Sequence, residues 1–288
     1  MTAAQEILAA DKASGIDPLA DPGVVTVTGD WHGESDFVEA VVRAAPVGRA
    51  GRPVLLQLGD FGIWPGRSGA RFLDRLEVVL HERDAIVLFV DGNHEDHPQL
   101  LAGPLRADGL RVVRPRVYHL PRGFRWTWHG LSWLALGGAH SIDWATRVAG
   151  TDWWPAQEAL TVVDVGAAAA AGPVDILVSH DCPAGVSIPG IRDPAPGQPP
   201  ELHRELVIES MHRLLLRSVV EWTQPDRVLH GHYHKRHDGT LTLDSRKVCR
   251  TTCMARVGRT MAENAMAVDV TSTALTPVGK PAGNTVAD

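Results

Sequence analysis

Apolar residues along this chain follow two alternating rhythms. Short, continuous runs rich in β-branched residues predict buried strands: Val24 to Thr28 (VVTVT), Pro53 to Leu58 (PVLLQL), Ala85 to Val90 (AIVLFV) and Val174 to Ser179 (VDILVS). The third is hydrophobic enough to be covered on both faces, as parallel strands are. Between these runs, apolar positions recur at helical spacing. Phe37, Val38, Val41 and Val42 mark one face of a helix that Ser35 can cap and that runs to about Ala45. Phe72, Leu73, Leu76, Val79 and Leu80 mark a second helix over Ser68 to Arg83. Further helices are predicted over Pro155 to about Ala171 and over Arg204 to Trp222. Arg111 to Leu136 reads instead as short strands with turns at Pro121–Arg122–Gly123 and His129–Gly130. Arg227 to Leu229 begins another strand, and Thr240 to Leu243, Lys247 to Cys253 and Ala265 to Val270 read as a closing β-meander. The order is βαβαβ, a β-rich stretch, αβαβ, then β. One α/β domain with two sheets fits it.

The expected organisation is a peripheral N-terminal leader over residues 1–22, carrying at most one short helix, a single domain over 23–276, and a flexible tail over 277–288. A chain of 288 residues can bury a large core, and 44% hydrophobic with 22% charged residues is ordinary for a globular protein. The net charge of −6 gives no general attraction to nucleic acid or anionic membrane, although it leaves a local basic patch open. The N-terminus lacks the basic region and apolar run of a secretory signal, and no window is apolar enough for a membrane span. Cys182, Cys249 and Cys253 are too few, and odd in number, for a disulfide framework. These features lead to the expectation of a cytoplasmic protein without membrane contact.

The chemistry-bearing residues follow the predicted strands. They are Gly29-Asp30-Trp31-His32-Gly33, Gly59-Asp60-Phe61-Gly62, Gly92-Asn93-His94-Glu95, His180-Asp181 and Gly231-His232-Tyr233-His234. In open α/β sheets ligands bind at the carboxyl ends of strands, so these five loops are expected to converge. Carboxylates, imidazoles and an amide oxygen without thiolate suit borderline divalent metals. Asp30, His32, Asp60, Asn93, His94, His180, His232 and His234 make eight such groups, which exceed one tetrahedral zinc site. Two metals about 3.5–4 Å apart need a bridging carboxylate and form a clamp for displacement at phosphorus. Each piece alone is weak; the force lies in all five appearing in order at strand ends.

The ordered set Asp30-x-His32, Gly59-Asp60, Gly92-Asn93-His94-Glu95, His180 and Gly231-His232-x-His234 resembles the calcineurin-like metallophosphoesterase superfamily over roughly residues 24 to 270. The resemblance implies a four-layer α/β/β/α sandwich. It implies that Asp30, His32 and His234 hold one metal, that Asp60 bridges, and that Asn93, His180 and His232 hold the second. His94 is then a catalytic residue rather than a ligand, stabilising the transition state or protonating the leaving oxygen. Two positions depart from the common pattern: Gly62 stands where many members carry a second acidic residue, and His230 precedes Gly231 where a small residue is usual.

The middle segment, Gly137 to Asp143 followed by Arg147, Trp153-Trp154 and Glu158, resembles a bacterial and phage-type subgroup of small phosphoesterases. Arg147 and Asp143 are candidate substrate contacts, the first through a bidentate grip on phosphate. Trp153 and Trp154 are candidate stacking surfaces for a base. Against this, both tryptophans can pack as core while Arg147 pairs with Asp143 or Asp152. Six arginines between Arg106 and Arg125, with Trp126 and Trp128 following, can track a nucleic-acid backbone or form the solvated face of strands. The six prolines between residues 182 and 203 suit a loop rimming the site.

The expected function is hydrolysis of a phosphate ester by a hydroxide bridging two divalent metal ions, manganese foremost and iron, zinc, cobalt or nickel as alternatives. The reading leans to a phosphodiester, with a nucleotide or single-stranded nucleic acid as candidate substrate. A phosphomonoesterase or protein phosphatase, a non-catalytic metal-binding scaffold, and a metal-dependent amidohydrolase or lactonase are the rival readings.

Overall fold

The computed structural model describes residues 3–191 and 193–278. Twelve strands form two six-stranded sheets. The first sheet collects β1 (Val24–Thr28), β2 (Val54–Gln57), β3 (Ile86–Phe89), β4 (Arg111–Arg114), β5 (Val117–His119) and β12 (Ala265–Asp269), in the order β12-β1-β2-β3-β5-β4. The second collects β6 (Arg125–Trp128), β7 (Leu131–Leu136), β8 (Ile176–Ser179), β9 (Arg227–His230), β10 (His237–Thr242) and β11 (Val248–Cys253), in the order β10-β11-β9-β8-β7-β6. In each sheet the four central strands run parallel and the edge strand on either side is antiparallel.

Side-chain alternation along these strands builds three apolar layers. Val54, Leu56, Ile86 and Leu88 of the first sheet face Trp133, Ala135, Ile176 and Val178 of the second, forming the core between the sheets. The intervening residues Leu55, Val87 and Phe89 turn outward and are covered by α2 (Ser35–Ala44) and α3 (Gly66–Arg83). On the opposite side Leu134, Leu136, Leu177 and Val228 are covered by α5 (Val162–Ala170) and α6 (Pro200–Thr223). The period of two in the strands thus feeds one layer inside and one outside, which is why their runs are apolar throughout. The result is the expected α/β/β/α sandwich. Shorter helices α1 (Ala3–Ser14), α4 (His97–Ala102) and α7 (Met261–Asn264) complete the described chain.

Several sequence expectations change. The helix expected over Pro155 to Ala171 begins only at Val162, where Thr161 and Asp164 form a reciprocal capping box. Residues 155–160 are instead irregular and carry Glu158 to the site. Ser35 is the first helical residue of α2 rather than its cap; Glu34 takes that place without a side-chain bond. The closing meander splits, because β10 and β11 extend the second sheet while β12 crosses to pair with β1. Ile7, Leu8 and Leu19 pack against the inter-sheet core, and the buried Asp11 accepts hydrogen bonds from Tyr118 and Arg106. Of the tail expected over 277–288, Pro277 bridges to Val268, and residues 279–288 lie outside the described residues.

Candidate metal centre

The loops after β1, β2, β3, β8 and β9 meet at one end of the two sheets. Side-chain atoms of Asp30, His32, Asp60 and His234 lie within 4.8 Å of one another, as do those of Asp60, His180 and His232. Asp60 belongs to both sets. Its Oδ2 is 3.8 Å from His32 Nε2 and its Oδ1 is 3.4 Å from His180 Nε2. Asn93 joins the second set, its Oδ1 3.2 Å from His180 Nε2.

Tight backbone makes this approach possible. Gly59 has a φ of +94°, and a Cβ there would stand 2.3 Å from the His180 ring. A Cβ on Gly92 would stand 2.2 Å from Asp60 Oδ1. Four ligand candidates themselves adopt left-handed backbone: His32 (φ 45°), Asp60 (φ 54°), His232 (φ 68°) and His234 (φ 57°). Only a few per cent of residues other than glycine take this conformation, Asn, Asp and His more often than the rest, and such strain clusters at functional sites.

The donor set fits cations. Asp30 is fully buried, and its Oδ2, 3.2 Å from His234 Nε2, lacks a hydrogen bond of good geometry. An orphaned carboxylate oxygen in a buried site is costly without a positive partner. The His180 Nδ1–H donates to the Leu58 carbonyl at 2.7 Å, which leaves Nε2 facing the centre. Burial opposes charge on His180, yet the Asp60 and Asp30 carboxylates outweigh it and push the imidazole up to about 10. The same negative field is what a cation would neutralise. Burial pulls His232 down to about 4, with His180 adding to the effect, so this imidazole is neutral and ready to ligate. Burial likewise lowers His32. Asp60 is held well below its usual range because His180 and His94 overcome the penalty of burial.

Around these groups lies a supporting shell that the sequence named only as letters. Ser141 Oγ donates to Glu158 Oε2 at 2.6 Å and accepts from Asn93 Nδ2 at 2.9 Å. That fixes the Asn93 amide so that its oxygen faces the centre. Glu95, fully buried, accepts from the backbone N–H groups of Phe61, Gly62 and Ile63 and so clamps the loop that carries Asp60. Burial and the Asp60 charge raise Glu95 to about 7. On the other side, Asp181 accepts from Tyr233 Oη at 2.6 Å and lies 2.7 Å from His212 Nδ1. His230 is buried, with its Nδ1 3.3 Å from the Gly231 carbonyl.

A cavity of about 470 Å³ opens directly over the centre and is lined by Asp60, Asn93, His94, His232 and His234 among others. The His94 N–H is tied to Asp60 Oδ1 at 2.9 Å, and its Nε2 lies 3.7 Å from Asp143 Oδ2. His94 therefore borders the centre without belonging to either ligand set. Asp143 also lines the cavity, whereas Arg147, Trp153 and Trp154 do not. The Arg147 guanidinium turns inward to Ser141 Oγ at 2.6 Å and to the carbonyls of Asn93 and Asp152. Trp153 donates its indole N–H to Glu158 at 2.9 Å and lies against Trp144. Trp126 and Trp128 are buried between the sheets, so they offer no stacking surface to a nucleic acid. The arginines near them meet carboxylates or carbonyls, such as Arg116 on Asp84 and Arg122 on Asp91.

A family model described as calcineurin-like phosphoesterase matches residues 23–236. The chain belongs to the calcineurin-like phosphoesterase family, and its two-sheet α/β architecture is that family's fold. No curated protein matches it in sequence. Among solved structures, it is similar to TT1561 of Thermus thermophilus at 13% identity and a TM-score of 0.47, covering 86% of this chain and 99% of that one. It is also similar to a protein serine/threonine phosphatase from Saccharomyces cerevisiae with similarity to human phosphatase PP5, at 14% identity and a TM-score of 0.35, covering 97% of this chain and 90% of that one. Membership makes the protein a phosphoester hydrolase by family. No helix among the described residues is long and apolar enough to cross a membrane.

Proposed function

We propose that this protein hydrolyses a phosphate ester at a centre of two divalent cations. The observation that carries this reading is the pair of ligand sets sharing Asp60, with His94 beside them in the cavity wall. Asp30, His32 and His234 would hold one cation, Asn93, His180 and His232 the other, and Asp60 both. An oxygen and nitrogen donor set without thiolate suits manganese, iron, cobalt, nickel or zinc. When bound, such cations supply positive charge against the phosphoryl oxygens and make water acidic enough to attack at neutral pH.

The chain's own groups do the rest. Asp60 and Asn93 fix the spacing of the two ligand sets. His94 reaches into the cavity from a backbone tied to Asp60, where its ring can donate to the departing oxygen. Asp143 Oδ2, 3.7 Å from Nε2, lies where it can orient the ring in that role. Both monoesters and diesters fit this arrangement, so substrate rank is a matter for assay.

Metal analysis of the purified protein should return about two cations per chain, as a clamp of two metals requires. A panel of bis-p-nitrophenyl phosphate, p-nitrophenyl phosphate, cyclic nucleotides and single-stranded DNA or RNA should show metal-dependent release from at least one class. Fully loaded protein inert across the panel would sink the proposal. His94→Ala should keep its metal content while turnover drops by about 10²–10⁴; undiminished turnover would remove His94 from the chemistry.

A further inference from the structure

The cavity over the metal centre has two unlike walls. One is the ligand set. The other is apolar, made by Ile142, Ile191 and, from the first turns of α6, Leu202 and Leu206. Ile142 is 50% exposed. A single exposed isoleucine would mean little, since apolar atoms make up much of any surface. Four apolar side chains converging on a cavity that also holds the ligands make a different case. They are placed to be covered by whatever organic group is attached to a phosphate bound there.

The charges beside this wall point the same way. Apart from Asp60, the charged side chains lining the cavity are Asp143 and Glu209, both acidic. No lysine or arginine lines it among the described residues. The nearby cations are engaged within the chain: Arg147 on Ser141, on backbone carbonyls and, at 3.7 Å, on Asp143 itself, Arg213 on the Val186 carbonyl, and Lys235 on the Pro189 carbonyl. Glu209 is buried and accepts from Tyr233 Oη at 3.3 Å, and burial with the neighbouring Asp181 charge raises it to about 7. A second phosphate or a carboxylate on the substrate would lie against apolar side chains, with no lysine or arginine among the described residues lining the cavity to receive it.

Resting on the phosphoester reading above, we propose that the cavity selects phosphate esters carrying an uncharged apolar alkyl or aryl group, and disfavours those whose further charged group would have to lie against its apolar wall. Selection comes from burying the organic group against Ile142, Ile191, Leu202 and Leu206. A charged group there would lose water without gaining a partner.

Calorimetric binding of n-alkylphosphonates, methyl to hexyl, to the manganese-loaded full chain tests this without turnover. Affinity should rise about three- to fourfold per methylene until the cavity is filled. 5-Carboxypentylphosphonate should bind at least about tenfold more weakly than hexylphosphonate, since its carboxylate would lose water against apolar side chains. Ile142→Ser, at a half-exposed position, should flatten the chain-length dependence. Equal affinity along the series, or a carboxylate tolerated as well as a methyl end, would overturn the apolar selection while the phosphoester reading stands. Failure of every phosphonate to bind, together with an inert substrate panel, would overturn both.

Discussion

In both sheets four parallel strands lie between antiparallel edges, yet the two halves of the molecule hold the site differently. The first sheet gives Asp30, His32, Asp60, Asn93 and His94 from short connections locked by backbone groups. Trp31 and His32 both donate N–H to the Asp60 carbonyl, and Glu95 takes three more N–H groups from the Asp60 loop. The second sheet gives His180, His232 and His234, but its long connections, over 137–161 and 182–199, also build the cavity wall. Cation ligands tolerate little displacement, so they sit where the chain is over-determined. The proposed apolar wall is shared between those longer connections, which tolerate variation better, and the first turns of α6.

Asp60→Asn attacks this division hardest, because one carboxylate serves both candidate ligand sets, one oxygen toward each. Cation content should fall and turnover should drop by more than about 10³, read by elemental analysis and initial rates; full cation occupancy would show that the halves hold their ions independently. Ser141→Ala sharpens the comparison from the second half. It frees the Asn93 amide from its anchor on Glu158, and affinity at the second ligand set should weaken by about 10- to 100-fold. Cation titration followed by calorimetry reads this, and an unchanged second binding step would make Ser141 a bystander. Trp153→Phe should matter least. It removes one hydrogen bond to Glu158, and thermal unfolding should register about 0.5–1.5 kcal/mol, with turnover changed less than about threefold. A larger loss of turnover would place Trp153 in contact with substrate.

The layers and the convergence of the candidate ligands were legible in the sequence for one reason: both are written locally. Buried parallel strands are continuous apolar runs, and ligands follow them within a few residues. What stayed illegible depends on contacts across the chain. Ser141 and Glu158 acquire their role only because residues 155–160 leave the helical path that their composition suggested. Arg147 looked like a phosphate contact from its type, but packing turned its guanidinium toward Ser141 and two carbonyls. Leu202 and Leu206 sit on a helix whose apolar positions read as core, and nothing local distinguishes a side chain facing a cavity from one facing a sheet. The crossing of β12 to the first sheet was equally hidden, since pairing partners are not encoded in a strand's own pattern.

The left-handed backbone at His32, Asp60, His232 and His234 carries a consequence for how this protein can change. Each of those residues holds a conformation that glycine would adopt at less cost, by up to about 1–2 kcal/mol at each site. A lineage freed from the need for turnover would therefore gain folding stability by drifting toward glycine at these positions. Keeping histidines there is a standing concession of robustness to reactivity, and ancestral or consensus redesign that optimises heat resistance alone would erase the centre first.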